Sequence, residues 1–322
     1  MRTVFKAVLC GSLSLLNLSW GDVAKPTIPQ PTQAPSPWLT GPLLTPSGHV
    51  IPKGHWNIEP YFYATVNTGV YDDHWHTQSL PNFYSLLGQF PCQYGFAKDW
   101  DFLFVPQVLW NHTKGASSWA LGDLPIQFDY QLLLDSPEKK WPAMRLSMGL
   151  NVPIAKYDKL NSHKLGTDAG GSGNINPNIA VIFSRLFHYT GTHFLSSRLY
   201  LSYAPTIPVH VKGLSVYGGG SGTGGRVFTG NSVKAILGLE YTLAQKWALA
   251  FDAQYVHAER TRFSGHTKYP VGHPKSDQFS IAPGIEYNWS PYVGIIAGAW
   301  FSVAGHNALD FVSGIVAINI YK

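Results

Sequence analysis

Between Ile126 and Leu134 the chain reads IQFDYQLLL, and its apolar and polar side chains alternate with a period of two. In an extended strand Ile126, Phe128, Tyr130, Leu132 and Leu134 fall on one face, and Gln127, Asp129 and Gln131 on the other. A helix would scatter the same residues around its circumference, so the stretch confines the local structure to strand. The pattern recurs: Met144, Leu146, Met148, Leu150 and Val152 alternate with Arg145, Ser147, Gly149 and Asn151. Periodicity does not say which medium each face meets. In a soluble sandwich the apolar face meets a protein core. In a membrane barrel it meets lipid, and the polar face meets an enclosed lumen.

Composition sharpens the choice. Only 13% of the 322 residues are charged, about half the share in a typical soluble domain, whereas 14% are aromatic. The first 21 residues carry Arg2 and Lys6, then an apolar run from Ala7 to Leu18, then the small residues Ser19 and Gly21. That is the pattern of a cleaved signal peptide, with residues 1–21 removed on export. Loss of Arg2 and Lys6 leaves 21 basic against 18 acidic residues, a modest excess that calls for no nucleic-acid partner. Cys92 is then the single cysteine, which rules out an internal disulfide. No later stretch has the roughly 18 consecutive apolar residues of a transmembrane helix. A closed sheet is the other structure that satisfies every backbone polar group in lipid.

Residues 22–54 are rich in proline, which supplies no ladder donor, and form a leader expected to lie in or along the main domain. Strand candidates then follow one another from residue 55 to the C-terminus: 55–66, one within 86–96, 100–110, 126–134, 144–152, 176–187, 193–204, 232–243, 246–257, 277–288, 291–301 and 309–320. Segments of this length suit a tilted membrane-crossing strand better than an ordinary soluble one. Short joins alternate with longer ones, expected over 67–85, 111–121, 153–174, 205–230 and 259–276, as in barrels with tight turns at one end and long loops at the other. Trp56, Trp110, Trp141, Trp247 and Trp289 fall near strand ends, where an interfacial girdle would sit. The expected fold is all-β: a transmembrane antiparallel β-barrel of twelve strands over 55–322.

On this reading the polar face contributes Glu59, Asp129, Arg145, Arg198, Lys234, Glu240, Asp252 and Glu286 to the lumen. Enclosed charges must be hydrated or paired. They serve either as an internal ion network or as a constriction that selects solutes. Both signs occur, so no preference for anions or cations follows. Enzyme signatures are weak: Ser197 or Ser202 could meet a histidine from an adjacent strand, but the sequence selects no such pair. The glycine run at 217–225 lacks the ending of a phosphate loop and reads as a flexible exterior loop, and neither a nucleophile elbow nor a zinc-protease helix occurs. His74 and His76 could offer two imidazoles, and His257, His266 and His273 cluster around another long loop, but a metal needs a convergence that spacing does not show. Asn111-His112-Thr113 matches a glycan acceptor formally and reads as a turn. No catalytic, cofactor-binding or metal-binding residue is assigned, and no cofactor is expected.

Three stretches carry a family resemblance: WALGDLPIQFDYQLL with Gly122 and Asp123, PAMRLSMGLNVPIAKYD with Gly149 and Pro153, and LGTDAGGSGNINPNIAVIFSRLF with Asp168, Gly170 and Gly173. They resemble the MetA-pathway of phenol degradation family of bacterial outer-membrane β-barrel proteins. The resemblance is sharpest over 119–187. It implies porin-like transport of small molecules, hydrophobic or aromatic compounds among them. Gly122, Asp123, Pro153, Gly170 and Gly173 would shape strand entry and a long loop, and none is catalytic. The expected protein is a monomeric outer-membrane channel or uptake barrel whose partners are lipids and small solutes. The alternative is a surface adhesion or structural barrel with a blocked lumen.

Overall fold

The computed structural model describes residues 36–136 and 140–322; the signal peptide expected over 1–21 and the first part of the leader lie outside them. Twelve barrel strands follow one another along the chain. The first four are each interrupted once: β1 (Trp56–Ile58 and Tyr61–Tyr71), β2 (Thr77–Gln89 and Cys92–Ala97), β3 (Trp100–Phe104 and Gln107–Thr113) and β4 (Ala116–Leu121 and Leu124–Leu133). The other eight are β5 (Ala143–Val152), β6 (Asn178–Thr190), β7 (His193–Ala204), β8 (Ser232–Ala244), β9 (Trp247–Ala258), β10 (Ser276–Ser290), β11 (Val293–His306) and β12 (Ala308–Tyr321). Each pairs antiparallel with its predecessor and successor, and β12 pairs with β1 through Gly314↔Ala64 and Ile320↔Ile58. The sheet is a closed antiparallel β-barrel without a free edge.

The four interruptions form one seam. Pro60, Pro91, Pro106 and Pro125 stand at the same level of neighbouring strands, since Tyr61 faces Gln89, Gln89 faces Gln107, and Phe104 faces Ile126. Proline has no N–H, so each strand lacks one ladder donor there. The preceding residues carry the pairing across: Glu59 N donates to Pro91 O at 3.0 Å, Phe90 N to Pro106 O at 2.9 Å and Val105 N to Pro125 O at 3.0 Å. The barrel wall stays joined across this seam.

Alternation is carried through in the burial. Along β9, Ala248, Ala250, Asp252 and Gln254 are buried while Trp247, Leu249 and Phe251 are exposed. In β4, Phe128 is 46% exposed and Asp129 0%. A bulge after Gln131 breaks the period, so Leu132 and Leu133 are both exposed. Phe62, Leu86, Trp119, Met148, Ile179, Leu201, Leu237, Leu249, Ile285, Val303 and Val316 carry the exposed apolar face around the barrel. A water-soluble monomer rarely shows contiguous apolar surface on that scale.

Two expected long joins are short. β1 runs on to Tyr71 and β2 begins at Thr77, so the first join is 72–76. β3 and β4 meet at Lys114–Gly115, whose φ values of 45° and 80° fit the two-residue turn that matches strand twist. Asn111, expected in a turn, is buried within β3. The long joins are 153–177, 205–231 and 259–275, and they are folded. Pro208–Lys212, Gly224–Phe228 and Arg262–His266 form a separate three-stranded antiparallel sheet. Val209, Val211, Tyr217 and Val227 make its core, with Phe263 and Tyr157 packed alongside. The end of the glycine run enters this sheet, where Gly224 pairs with His266 and Gly225 with Gly265, while 217–223 form the turns that precede it. Gly218 and Gly219 adopt φ of 94° and 89°, and Gly219 N donates to Pro270 O at 2.9 Å. Burial pushes the Tyr217 phenol up to about 12, while its hydroxyl donates to Ser172 O at 2.8 Å.

Candidate functional site: the barrel interior and its strap

Residues 36–54 enter the barrel and run around its inner wall as a strap. Prolines 42, 46 and 52 keep this segment from forming a ladder of its own, so its N–H and C=O groups must be satisfied by the wall. The partners are taken from successive strands. On β10, Glu286 accepts from Thr40 N at 2.8 Å, and Asn288 donates to Trp38 O at 3.1 Å. On β9, Asp252 accepts from Leu44 N and Thr45 N, each at 3.1 Å. Ser184 on β6 accepts from Gly48 N at 2.6 Å, and Gln131 on β4 accepts from Val50 N at 2.8 Å while donating to Gly48 O at 2.9 Å. Asp101 on β3 accepts from Ile51 N at 2.6 Å. Gly54 N then donates to Gly95 O of β2 at 2.7 Å, and the chain passes into β1.

Small residues on the inner face make room for this path. Arg198, Gly238 and Asp252 form one rung across β7, β8 and β9. A Cβ on Gly238 would lie 2.6 Å from Thr45 Oγ1. Leu43 is buried against Ala250, Ala282, Ile296, Ile315 and Ala317. A Leu side chain buried this fully contributes about 1.5–3 kcal/mol.

The eight residues expected on the polar face divide into two groups. Asp129, Glu240, Asp252 and Glu286 are 0% exposed. Asp252 and Glu286 hold the strap directly. Glu240 accepts from Arg198 Nη2 at 2.9 Å and Ser196 Oγ at 2.8 Å. Asp129 accepts from Gln127 Nε2 at 2.9 Å and from Ser147 Oγ, with Arg145 Nε at 3.8 Å. The second group, Glu59, Arg145, Arg198 and Lys234, lines a cavity of about 1540 Å³ left beside the strap. Its walls are mixed. Tyr61, Tyr63, Phe83, Leu87 and Trp300 supply apolar surface, and Thr65, Asn67, Ser85, Gln89 and Gln93 supply polar surface. The rings of Tyr61 and Tyr63 stack at 5.8 Å. Arg145 and Arg198 reach the strap as well, donating to His49 O at 3.3 Å and Thr45 O at 3.4 Å. Asp101, Gln131, Ser184 and Asn288 were not singled out from the sequence as site residues, although Gln131 fell on the polar face of the first strand read.

At the interruption of β4, Asp123 organises the 153–177 loop. It is buried and accepts from Ala155 N at 3.1 Å, Ser172 N at 2.9 Å and Asn151 Nδ2 at 3.0 Å. Asp72, Asp73 and His74 bring their ligand-type atoms together in the β1–β2 join. Asp72 Oδ1 is already used by His74 N at 2.8 Å and His76 N at 2.9 Å, which makes the group a capped turn.

No protein-family model matches the chain, and no curated protein does. Solved structures do match. The COG4313 outer membrane channel from Pseudomonas putida F1 superposes with a TM-score of 0.65 at 10% identity, covering 86% of this chain and 98% of that chain. The beta domain of the Bordetella autotransporter Brka reaches 0.45 at 9% identity over 83% and 98%. The Pseudomonas putida toluene transporter TodX reaches 0.38 at 11% identity over 83% and 89%. The first of these likenesses shows a shared barrel fold.

Proposed function

We propose that the chain is an outer-membrane barrel through which small molecules pass, entering the cell envelope by the cavity beside the strap. The observation that carries this reading is the combination of an apolar face exposed around the wall with a mixed-polarity cavity of about 1540 Å³ inside it. Lipid accepts the first and water the second, and a catalytic constellation is not needed for either. The fold shared with a solved outer membrane channel supports the same reading. So does the resemblance over 119–187 to barrels of phenol-degradation pathways.

Tyr61, Tyr63, Phe83 and Trp300 give aromatic or apolar solutes a surface, while Glu59, Arg145, Arg198 and Lys234 keep the lumen wet and set which charges pass. The strap favours a second reading, a surface barrel with a blocked lumen, because it crosses the interior from β10 to β2. Conductance of the purified protein in planar bilayers separates the two. Discrete channels are expected, with larger ones after deletion of residues 36–50. Silence in both proteins overturns passage through the lumen and leaves the blocked barrel.

A further inference from the structure

The eight charged residues expected on the lumenal face are five acids and three bases, and the fold sorts them by sign. Asp129, Glu240, Asp252 and Glu286 are buried, and each accepts hydrogen bonds from the wall or the strap. Of the five acids only Glu59 lines the cavity beside the strap, and it accepts from the Tyr61 hydroxyl at 3.0 Å. All three bases line that cavity, and Lys53 and Lys98 join them against a single further acid, Asp99. Lys53, Lys98 and Lys234 form no ion pair among the described residues. Lys234 is the third residue of β8 and belongs to its inward set with Ile236, Gly238 and Glu240. The other three are buried, whereas Lys234 is exposed to the open space of the cavity. An unpaired ammonium keeps its charge there only through hydration or a solute of opposite sign.

The same sign dominates the approach to Lys234. At its end of the barrel the joins 72–76, 114–115, 153–177, 205–231 and 259–275 hold ten lysines and arginines against five acids. The short joins at the other end hold four against three, so the excess belongs to one end. In the three-stranded sheet Lys212, Arg226 and Arg262 are exposed, while the alternate residues Val211, Val227 and Phe263 pack in its core. The basic face thus points away from that core. Charge of one sign at the mouth of a low-dielectric cavity raises the local concentration of solutes of the other sign.

We propose that the barrel selects anions and that its solutes are small amphipathic carboxylates, drawn past the basic joins to Lys234 and on toward Arg198 and Arg145. The hydrocarbon part of such a solute runs over Tyr61, Tyr63, Phe83 and Trp300, which line the same cavity. An uncharged solute gains nothing from the unpaired lysines, and an organic cation is repelled by them. A carboxylate with a ring uses both surfaces. The inference rests on passage through the lumen and names what sets the choice of solute.

Reversal potentials in planar bilayers under a potassium chloride gradient test it, on the full-length protein and on the variant lacking residues 36–50. A unit charge about 4 Å from an ion changes its occupancy about fivefold even in water, so chloride should outpace potassium by about that factor. The preference should hold at about 0.1 M salt and shrink at about 1 M, where screening shortens the field to about 3 Å. Lys234→Glu should abolish the preference. Lys246→Glu makes the same change of charge on an exposed turn outside the cavity and should leave it unaltered. Heat-modifiable migration in gels establishes that each variant barrel is folded. Potassium benzoate in place of potassium chloride should sustain the anion current. A channel that prefers potassium or neither ion, equal ratios in Lys234→Glu and Lys246→Glu, or loss of anion current in benzoate overturns the proposal and leaves passage standing. Silence in both proteins overturns passage itself, and this proposal with it.

Discussion

Thr45 meets Asp252 with both of its donors: Oγ1 lies 2.5 Å and N 3.1 Å from the same carboxylate oxygen. Leu44 N takes the other oxygen at 3.1 Å, so one fully buried side chain of β9 holds two consecutive residues of the strap. Hydrogen bonds to a charged acceptor contribute about 1.5–3 kcal/mol each. Asp252→Asn keeps the shape and replaces one acceptor with an N–H donor facing a backbone N–H. Local release of the strap is expected, read as a rise in single-channel conductance. An unchanged conductance would mean that the strap is held elsewhere.

Glycines on the inner wall distinguish the strap from the barrel. A Cβ on Gly238 would meet Thr45 Oγ1 at 2.6 Å and Thr45 Cβ at 2.7 Å, both on the strap. A Cβ on Gly69 would meet Gln78 O at 2.4 Å, in the barrel's own backbone. Gly238→Val should therefore displace the strap and raise conductance while heat-modifiable migration of the barrel persists. Gly69→Val should lower the temperature at which that migration is lost. The same response from both variants would show that strap and wall form one cooperative unit.

Asp129 is the opposite case, an acid that serves the wall. Replacing it with Leu leaves Arg145, whose side chain is 4% exposed, without its nearest carboxylate. Breaking a buried pair from one side costs about 3–5 kcal/mol. Asp129→Leu should lower the urea midpoint of the detergent-folded protein markedly, whereas Ser221→Ala, exposed in the outer loop, should change stability by less than about 0.5 kcal/mol. Equal midpoints would remove Asp129 from the packed interior.

The strands were legible because each carries its own evidence. The alternation of Ile126 to Leu134 needs no partner to be read, and the same holds for Val233 to Leu243. The seam was partly visible, since Pro60, Pro91, Pro106 and Pro125 stand in the sequence, but their alignment depends on register between strands. The strap's path was not legible at all. Thr40 and Glu286 are 246 residues apart, and nothing local marks Glu286 as an acceptor for a backbone N–H. The end of the glycine run shows a similar dependence: Gly224 and Gly225 join the pairing of Gly224–Phe228 with Arg262–His266, which composition does not encode.

The 153–177 loop carries its own pH response. Burial pushes the Asp168 carboxyl up, but the Lys156 ammonium at 2.5 Å and Asn161 N at 3.2 Å pull it down further, and the balance lies below the usual carboxylate value. A depressed acid stabilises the closed loop fully above the free carboxylate's value of about 4 and loses that contribution as pH falls through the lowered value. The loop should resist cleavage at neutral and mildly acidic pH and become susceptible to pepsin only in stronger acid. Lys156→Met removes the main interaction that opposes burial and leaves the backbone donor Asn161 N, so susceptibility should begin at higher pH than in the unaltered chain. Mass spectrometry of the fragments identifies cuts within 153–177. A Lys156→Met profile superimposable on the original would show that this ion pair does not close the loop.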